Sequence, residues 1–320
     1  MPCSNYAKPS RIASCDRCRK LFQSGTLKWN VEEASAIWEP DGCALQYRSM
    51  NEAANCMNDL LITNKKVPFL LFVGDSRIQQ LRDGLILTLT GHDYDTFANR
   101  LAVVEPESYA KYGAPEKIYR SAGAQIKFEW QPYLDDGAGA ITNLLWNISK
   151  SEIKPDILVL GAGIWSIKDC EAAQKPQQAC AETYREHLRI LLPLLNSLAT
   201  TTLVIWTPQC AVNEIILDAD QIHFGYTNTN MQRFNDVARE VLSSGKFSPQ
   251  SSVIFWESAW EASVQINDGV DGIHLGHETK LTLVQMLLDW ICSPVRRDPT
   301  RIRNAKKVVR HSENSYCCHV

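Results

Sequence analysis

The sequence predicts an α/β protein built on a doubly wound, mainly parallel sheet with helices on both faces. Two observations carry this. Apolar runs of strand length alternate with helix-periodic segments between residues 67 and 292, the order that βαβ units impose. The runs are also short and continuous, the pattern of strands buried on both faces.

The elements follow in order. "VPFLLFVGD" (67–75) reads as a buried strand. "RIQQLRDGLILTLTG" (77–91) follows with Ile78, Leu81, Leu85 and Leu89 at helical spacing, and Gly91 ends it. "QIKFEWQPY" (125–133) alternates like a half-buried strand, and "PDILVLGAG" (155–163) is a second buried strand ending in glycines. "AETYREHLRILLPLLNSLA" (181–199) predicts a helix with Pro193 inside it. "TTLVIWTP" (201–208) predicts a strand, and "NMQRFNDVAREVLSSG" (230–245) a helix closed by Gly245. "SSVIFWESAW" (251–260) predicts a strand, and "HETKLTLVQMLLDWIC" (277–292) the last helix.

Residues 1–60 are polar, cysteine-rich and poor in regular periodicity. They read as a loop-rich extension packed on a main domain over 61–295. Residues 296–320 form a basic, cysteine-ended tail, either a solvated linker or a juxtamembrane segment.

The chain has 320 residues, 45% of them hydrophobic and 22% charged, which suits a large globular core. Its 33 basic and 36 acidic residues leave a net charge of −3. That excludes a global basic field for nucleic acid. No apolar run reaches the roughly 18–20 residues of a membrane span. Met1 is followed by a polar stretch without a signal-peptide pattern, so a targeting segment is expected outside this sequence.

Eleven cysteines lie mostly outside the apolar runs, which points to disulfides and an oxidising compartment. Cys15-Asp16-Arg17-Cys18 lacks a second ligand pair, so no metal is expected. Asn147-Ile148-Ser149 is the only glycosylation sequon.

Three stretches fall at the carboxyl ends of predicted strands, where doubly wound sheets bind ligands. They are Gly74-Asp75-Ser76, Gly161-Ala162-Gly163-Ile164-Trp165 and the loop Asp271-Gly272-Ile273-His274. A serine in the first position either caps the helix or is a nucleophile. A serine hydroxyl needs a base, and an imidazole serves when a carboxylate fixes its tautomer. Asp-x-x-His supplies both on one short loop. Ser76, Asp271 and His274 are therefore the candidate catalytic residues.

The remaining candidates concern the oxyanion and the substrate. The backbone N–H of Ser76 at a helix start is one oxyanion donor, and Gly161 or Gly163 offers a second. Within the first turn, Gly74 and Asp75 flank the serine, and Asp75 is expected to orient the turn through backbone hydrogen bonds. Arg77 is either a solvated helix residue or an anion contact. Trp165, followed by Ser166 and Lys168, either packs or walls an acyl or sugar pocket. His277 is expected to be a cap or surface residue rather than the base.

"FVGDSRIQQL" (72–81), "GAGIWSIK" (161–168) and "DGIHL" (271–275), in this order, resemble the SGNH/GDSL hydrolase superfamily. Within it they resemble the PC-esterase branch, and most of all its sialate O-acetyltransferases. "WEPDGC" (38–43) with Cys56 fits that branch's Trp-x-Pro-x-x-Cys element, and "YCC" (316–318) fits its end. The resemblance runs from about Cys18 to Cys318. The asparagine block that many SGNH hydrolases use for the oxyanion is replaced by "GAGIW".

The resemblance implies a three-layer SGNH-hydrolase-like fold and a serine-dependent O-acetyltransferase. Ser76 would be nucleophile, Asp271 acid and His274 base. Acetyl-CoA would be the donor co-substrate, with no resident cofactor, and CMP-N-acetylneuraminate or a related glycan the acceptor. The setting implied is the Golgi lumen, with a membrane-associated full-length form. Cys43 and Cys56 are expected to be oxidised, to each other or to another amino-terminal cysteine. Three other readings stay open: an acetylesterase of the same fold, a transferase acting on another polysaccharide, and a binding domain that lost activity.

Overall fold

The computed structural model describes residues 20–30, 35–41, 45–95, 119–121, 123–135, 140–243, 253–269 and 271–292. The tail over 296–320, Cys15, Cys18, Cys43 and the "YCC" stretch lie outside the described residues. A hairpin comes first, β1 (Gly25–Asn30) against β2 (Ser35–Pro40), then helix α1 (Met50–Asn64). The alternating part follows as β3 (Phe69–Gly74), α2 (Ser76–Thr90), β4 (Tyr119–Ser121), β5 (Ala124–Trp130), α3 (Ile141–Lys150) and β6 (Ile157–Gly161). It continues as α4 (Ile164–Ala172), α5 (Gln177–Leu198), β7 (Leu203–Trp206), α6 (Ala219–His223) and α7 (Asn228–Ser243). It closes with β8 (Val253–Phe255), α8 (Glu257–Ile266) and α9 (His277–Cys292).

The main sheet has the order β4-β5-β3-β6-β7-β8, with β3, β5, β6, β7 and β8 parallel and β4 antiparallel at one edge. Its continuous apolar strands split by the two-residue pleat into two cores. Leu70, Phe72, Val159 and Ile205 face one layer, with helices α1, α2, α8 and α9. Leu71, Val73, Leu160 and Trp206 face the other, with α3, α4, α5 and α7. Helices thus cover both faces of the sheet, the three-layer, doubly wound, mainly parallel architecture that the sequence predicts.

Two readings of the sequence are corrected. The part of residues 1–60 that is described is not loop-rich, because it holds the hairpin and most of α1. Ser49 caps α1 in a reciprocal box with Glu52. Ala53, Cys56, Met57 and Leu60 form a buried stripe at helical spacing, thinned by the polar residues between them. Among the described residues the hairpin has no partner strand in the main sheet. Its backbone is completed by α8 side chains, with Gly25 N–H donating to Glu261 Oε2 at 3.1 Å and Leu27 N–H to Gln265 Oε1 at 2.9 Å. No local pattern encodes such a contact.

The second correction concerns 251–260. The strand ends at Phe255, and "ESAWEASVQI" is the helix α8. Its Ser258, Ala259, Ala262 and Ser263 are small and buried, so the inward stripe has little hydrophobic contrast.

Cys56 is oxidised, but its partner is Cys292 in the last helix, not an amino-terminal cysteine. That bridge ties α1 to α9 across 236 residues. A second links Cys170 to Cys180, and Cys210 is a buried free thiol. No helix among the described residues is long and apolar enough to cross a membrane, and no metal-ligand cluster occurs among them. Asn147 of the sequon is exposed on α3.

Cys56→Ser is expected to lower unfolding stability by about 2–5 kcal/mol, since so long a closed loop strongly restricts the unfolded chain. Denaturant melts with and without reductant check this. A variant whose midpoint matches the oxidised wild type would show that the bridge does not constrain the chain.

Candidate active site

The site is built where β3 hands over to α2. Gly74 ends β3 at φ 155°, and a Cβ there would lie 2.4 Å from the Gly161 carbonyl oxygen and 2.6 Å from Ile78 Cγ1. Only glycine fits such a crossing. Asp75 is the helix cap: its Oδ1 accepts from Arg77 N–H at 2.9 Å. The cap position is thereby taken, and Ser76 is the first helical residue rather than the cap. Burial raises the Asp75 carboxyl, while the Arg77 charge and the helix amides oppose the rise. Asp75 orients the turn, as its position suggested.

His274 reaches Ser76 from the far end of the chain. Its Nε2 stands 2.9 Å from Ser76 Oγ, and its Nδ1 stands 2.7 Å from Asp271 Oδ2. The carboxylate fixes the tautomer, with Nδ1–H donating to Asp271 and Nε2 free to accept the serine proton. Asp271 Oδ1 also accepts from the backbone N–H of Ile273 at 3.0 Å and of His274 at 2.8 Å. Burial alone would raise the Asp271 carboxyl. The ring, its charge and the two amides outweigh burial and hold it well below the usual carboxylate range. His277, by contrast, is exposed at the start of α9, away from this relay.

Helix α2 also holds the loop that brings the histidine. Arg77, 4% exposed, donates Nε–H to the Ile273 carbonyl at 2.9 Å and Nη1–H to the Cys210 carbonyl at 2.9 Å. It is not a solvated helix residue, and these two bonds make it a strut between two loops. Gln80, one helical turn after Ser76, is fully buried. Its Oε1 accepts from Leu275 N–H at 2.8 Å, and its Nε2 donates to the Leu275 carbonyl at 2.9 Å and to Asp95 Oδ2 at 3.0 Å. Lys280 of α9, also fully buried, donates to the same Asp95 oxygen at 2.8 Å. Gln80, Asp95 and Lys280 were not singled out from the sequence. The one signal was the four-residue spacing of Gln80 from Ser76, which puts both on one helical face.

The glycine block has a different task at each position. Gly161 is paired with Gly74 in register, and a Cβ there would meet the Thr207 carbonyl oxygen at 2.7 Å. It lets neighbouring backbone approach. Gly163 precedes α4 at φ 148°, and a Cβ there would lie 3.3 Å from the Gln209 side chain. Trp165 is half-buried and packs edge-on to Trp130 at 5.9 Å and Tyr133 at 6.1 Å. Trp130 is the register partner of Gly74. The three rings thus form one aromatic group at the carboxyl ends of β5 and β6, with Lys168 Nζ 4.7 Å above the Trp165 ring.

Two expectations follow. The Asp271 carboxyl titrates below its ordinary value of about 3.9 in the folded chain. The bonds it accepts from the His274 ring and the two amides therefore stabilise the fold above about pH 4, and that stability is lost as pH falls further. Asp271→Asn removes the titration, so its melting temperature should fall less steeply than the wild type between about pH 5 and pH 2. Parallel curves would contradict the assignment. Gln80→Leu keeps the volume but strips two bonds from Leu275. Hydrogen exchange at the Leu275 amide should then speed up about tenfold or more, and an unchanged rate would rule out the clamp.

No family model matches the chain. Over 292 residues it is 25% identical to N-acetylneuraminate (7)9-O-acetyltransferase of Danio rerio, covering 91% of this chain and 32% of that protein. The chain thus spans about a third of the length of this curated relative. Among solved structures, a putative GDSL-like lipase from Parabacteroides merdae is similar at 16% identity, with a TM-score of 0.43, over 71% of this chain and 96% of its own. Est24, a carbohydrate acetylesterase from Sinorhizobium meliloti, is similar at 17% identity, with a TM-score of 0.40, over 70% and 97%. In sequence the chain resembles the sialate O-acetyltransferase, and its Gly-Asp-Ser turn and Asp-x-x-His loop meet at the carboxyl end of the parallel strands, as its resemblance to SGNH/GDSL hydrolases implies.

Proposed function

We propose that this chain is a serine O-acetyltransferase domain that moves an acetyl group from acetyl-CoA to a hydroxyl of a sialic acid, CMP-N-acetylneuraminate, through an acetyl-serine intermediate. The observation that carries the reading is the unbroken relay from Asp271 Oδ2 through the His274 ring to Ser76 Oγ, at 2.7 and 2.9 Å. The relative's name, an acetyltransferase acting on N-acetylneuraminate, supports the choice of acceptor. The two described disulfides fit a luminal setting, and the Golgi lumen is the compartment we propose.

The chemistry divides into two half-reactions. In the first, Ser76 Oγ attacks the thioester carbonyl while its proton passes to His274 Nε2. The C–S bond then breaks, and the thiolate leaves with that proton as free coenzyme A. In the second, a sugar hydroxyl gives its proton to His274 Nε2 and attacks the acetyl-serine. The new ester forms, the bond between the acyl carbon and Ser76 Oγ breaks, and the serine regains its proton from His274 Nε2. Asp271 stays ionised throughout and supports the imidazolium. The backbone N–H of Ser76, at the positive end of α2, offers a hydrogen bond to the carbonyl oxygen. The half-buried rings of Trp130, Tyr133 and Trp165 would supply the apolar surface for a sugar.

Brief exposure to acetyl-CoA, followed by intact-mass measurement and peptide mapping, should show one added acetyl group on Ser76. Acetylated sugar should then appear when CMP-N-acetylneuraminate is supplied. Ser76→Ala and His274→Ala should each remove nearly all turnover. Asp271→Asn should leave a small residue, a loss of about 10³–10⁴-fold, because the base survives with poor orientation. Normal turnover in either alanine variant would end the assignment. Release of acetate from acetylated glycans, with no acetylated sugar formed, would make the chain an esterase instead.

A further inference from the structure

Gln209 stands three residues past the end of β7, on a segment fixed by Asn235. Its N–H donates to Asn235 Oδ1 at 2.6 Å, and its carbonyl accepts from Asn235 Nδ2 at 2.8 Å. The residue is 4% exposed. Its side-chain Oε1 accepts from the backbone N–H of Ile164 at 3.1 Å. That bond fixes which end of the carboxamide is oxygen, since an N–H demands an acceptor. The Nε2 end therefore faces elsewhere, and it has no acceptor among the described residues. An NH₂ whose orientation is fixed by the bond at its own oxygen, and which no described acceptor meets, is a donor available to a ligand.

Its surroundings indicate which ligand. A Cβ on Gly163 would lie 3.3 Å from Gln209 Cγ, Cδ and Nε2 alike. The carboxamide thus reaches the space that a side chain at 163 would otherwise use. Gly163 follows β6, whose last residue, Gly161, pairs with Gly74 just before Ser76. Gln209 and Asp75 line one small cavity beneath the serine turn. An amide donor has therefore been supplied from the segment after β7, at the same carboxyl end of the sheet as the serine.

We infer that Gln209 is a catalytic residue of the acyl transfer proposed above, donating from Nε2 to the carbonyl oxygen of the acyl group as negative charge builds on it. The inference rests on Ser76 being the nucleophile. As the Ser76 Oγ–C bond forms, the carbonyl π pair moves onto oxygen and the serine proton moves to His274 Nε2. Gln209 donates to that oxygen without losing a proton. When the adduct collapses, the pair returns to the carbonyl and the bond to the leaving group breaks. Such a donor acts on the transition state more than on bound substrate, so its loss lowers kcat more than it raises KM.

Gln209→Glu keeps the shape and the acceptor for Ile164 but removes the donor; Gln209→Leu removes both. With p-nitrophenyl acetate as probe, both variants should lose about 10²–10³-fold in kcat with KM little changed. Turnover within a few-fold of wild type in Gln209→Glu would overturn the inference. A wild-type reporter covers the case of a variant that fails to fold. The side-chain ¹⁵N–¹H resonances of Gln209 should move downfield when Ser76 is phosphorylated by diethyl p-nitrophenyl phosphate, whose P–O⁻-like oxygen stands where the oxyanion would. Unmoved resonances on a modified serine would also overturn it. A wild-type protein that neither reagent modifies at Ser76 would overturn the nucleophile assignment itself, an outcome distinct from failure of Gln209 alone.

Discussion

One helix, α2, carries the serine and also grips the loop that delivers the histidine. Ser76 meets His274 across 198 residues of sequence, and nothing local holds them together. The distance is set by Arg77 and Gln80, which bond the backbone of Ile273 and Leu275 from the turns after the serine. Because nucleophile and grip share one rigid element, a shift of the helix moves both together. Spacing errors that would weaken a hydrogen-bonded relay are thereby suppressed.

This arrangement places polar and charged groups in the interior, which is costly unless they are satisfied. Gln80 meets both backbone groups of Leu275. Asp95, buried beside it, is met by Gln80 and by the Lys280 ammonium. The packing is close enough that a Cβ at Gly84 would lie 2.8 Å from Lys280 Cγ, which explains a glycine in mid-helix. The Cys56–Cys292 bridge and the hairpin on α8 hold the outer layer against this core. The amino-terminal segment is thus part of the support for the helix that follows the His274 loop.

Much of the architecture was legible because it follows local rules. The strand at 157–161 is a continuous apolar run and the helices at 76–90 and 277–292 are rich in apolar residues with glycine or loop boundaries, and they form close to where the pattern puts them. The segments misread were those whose partners are distant. The hairpin strands complete their hydrogen bonds with Glu261 and Gln265. The helix over 257–266 turns small residues inward, which leaves little contrast to read. The Gly-Asp-Ser and Asp-x-x-His motifs were visible because their chemistry requires those residue types at close spacing. Gln209 had no such signal, since its partners, Ile164 and Gly163, lie on a different strand–helix unit.

The sequence by itself determined the alternating order, the apolar strands and the residue types able to pass a proton from alcohol to imidazole to carboxylate. Those depend on periodicity and intrinsic chemistry, which act over a few residues. Only the tertiary structure decided that Asp75 caps the helix and frees Ser76, that Arg77 is a buried strut, and that Cys56 pairs with Cys292. It alone decided, too, that the carboxamide of Gln209 reaches the space beside Gly163. Apart from the Asp75 cap, whose partner is Arg77, each of these is a choice among partners tens to hundreds of residues apart. Chain entropy leaves such choices open until the two packed cores fix which surfaces meet.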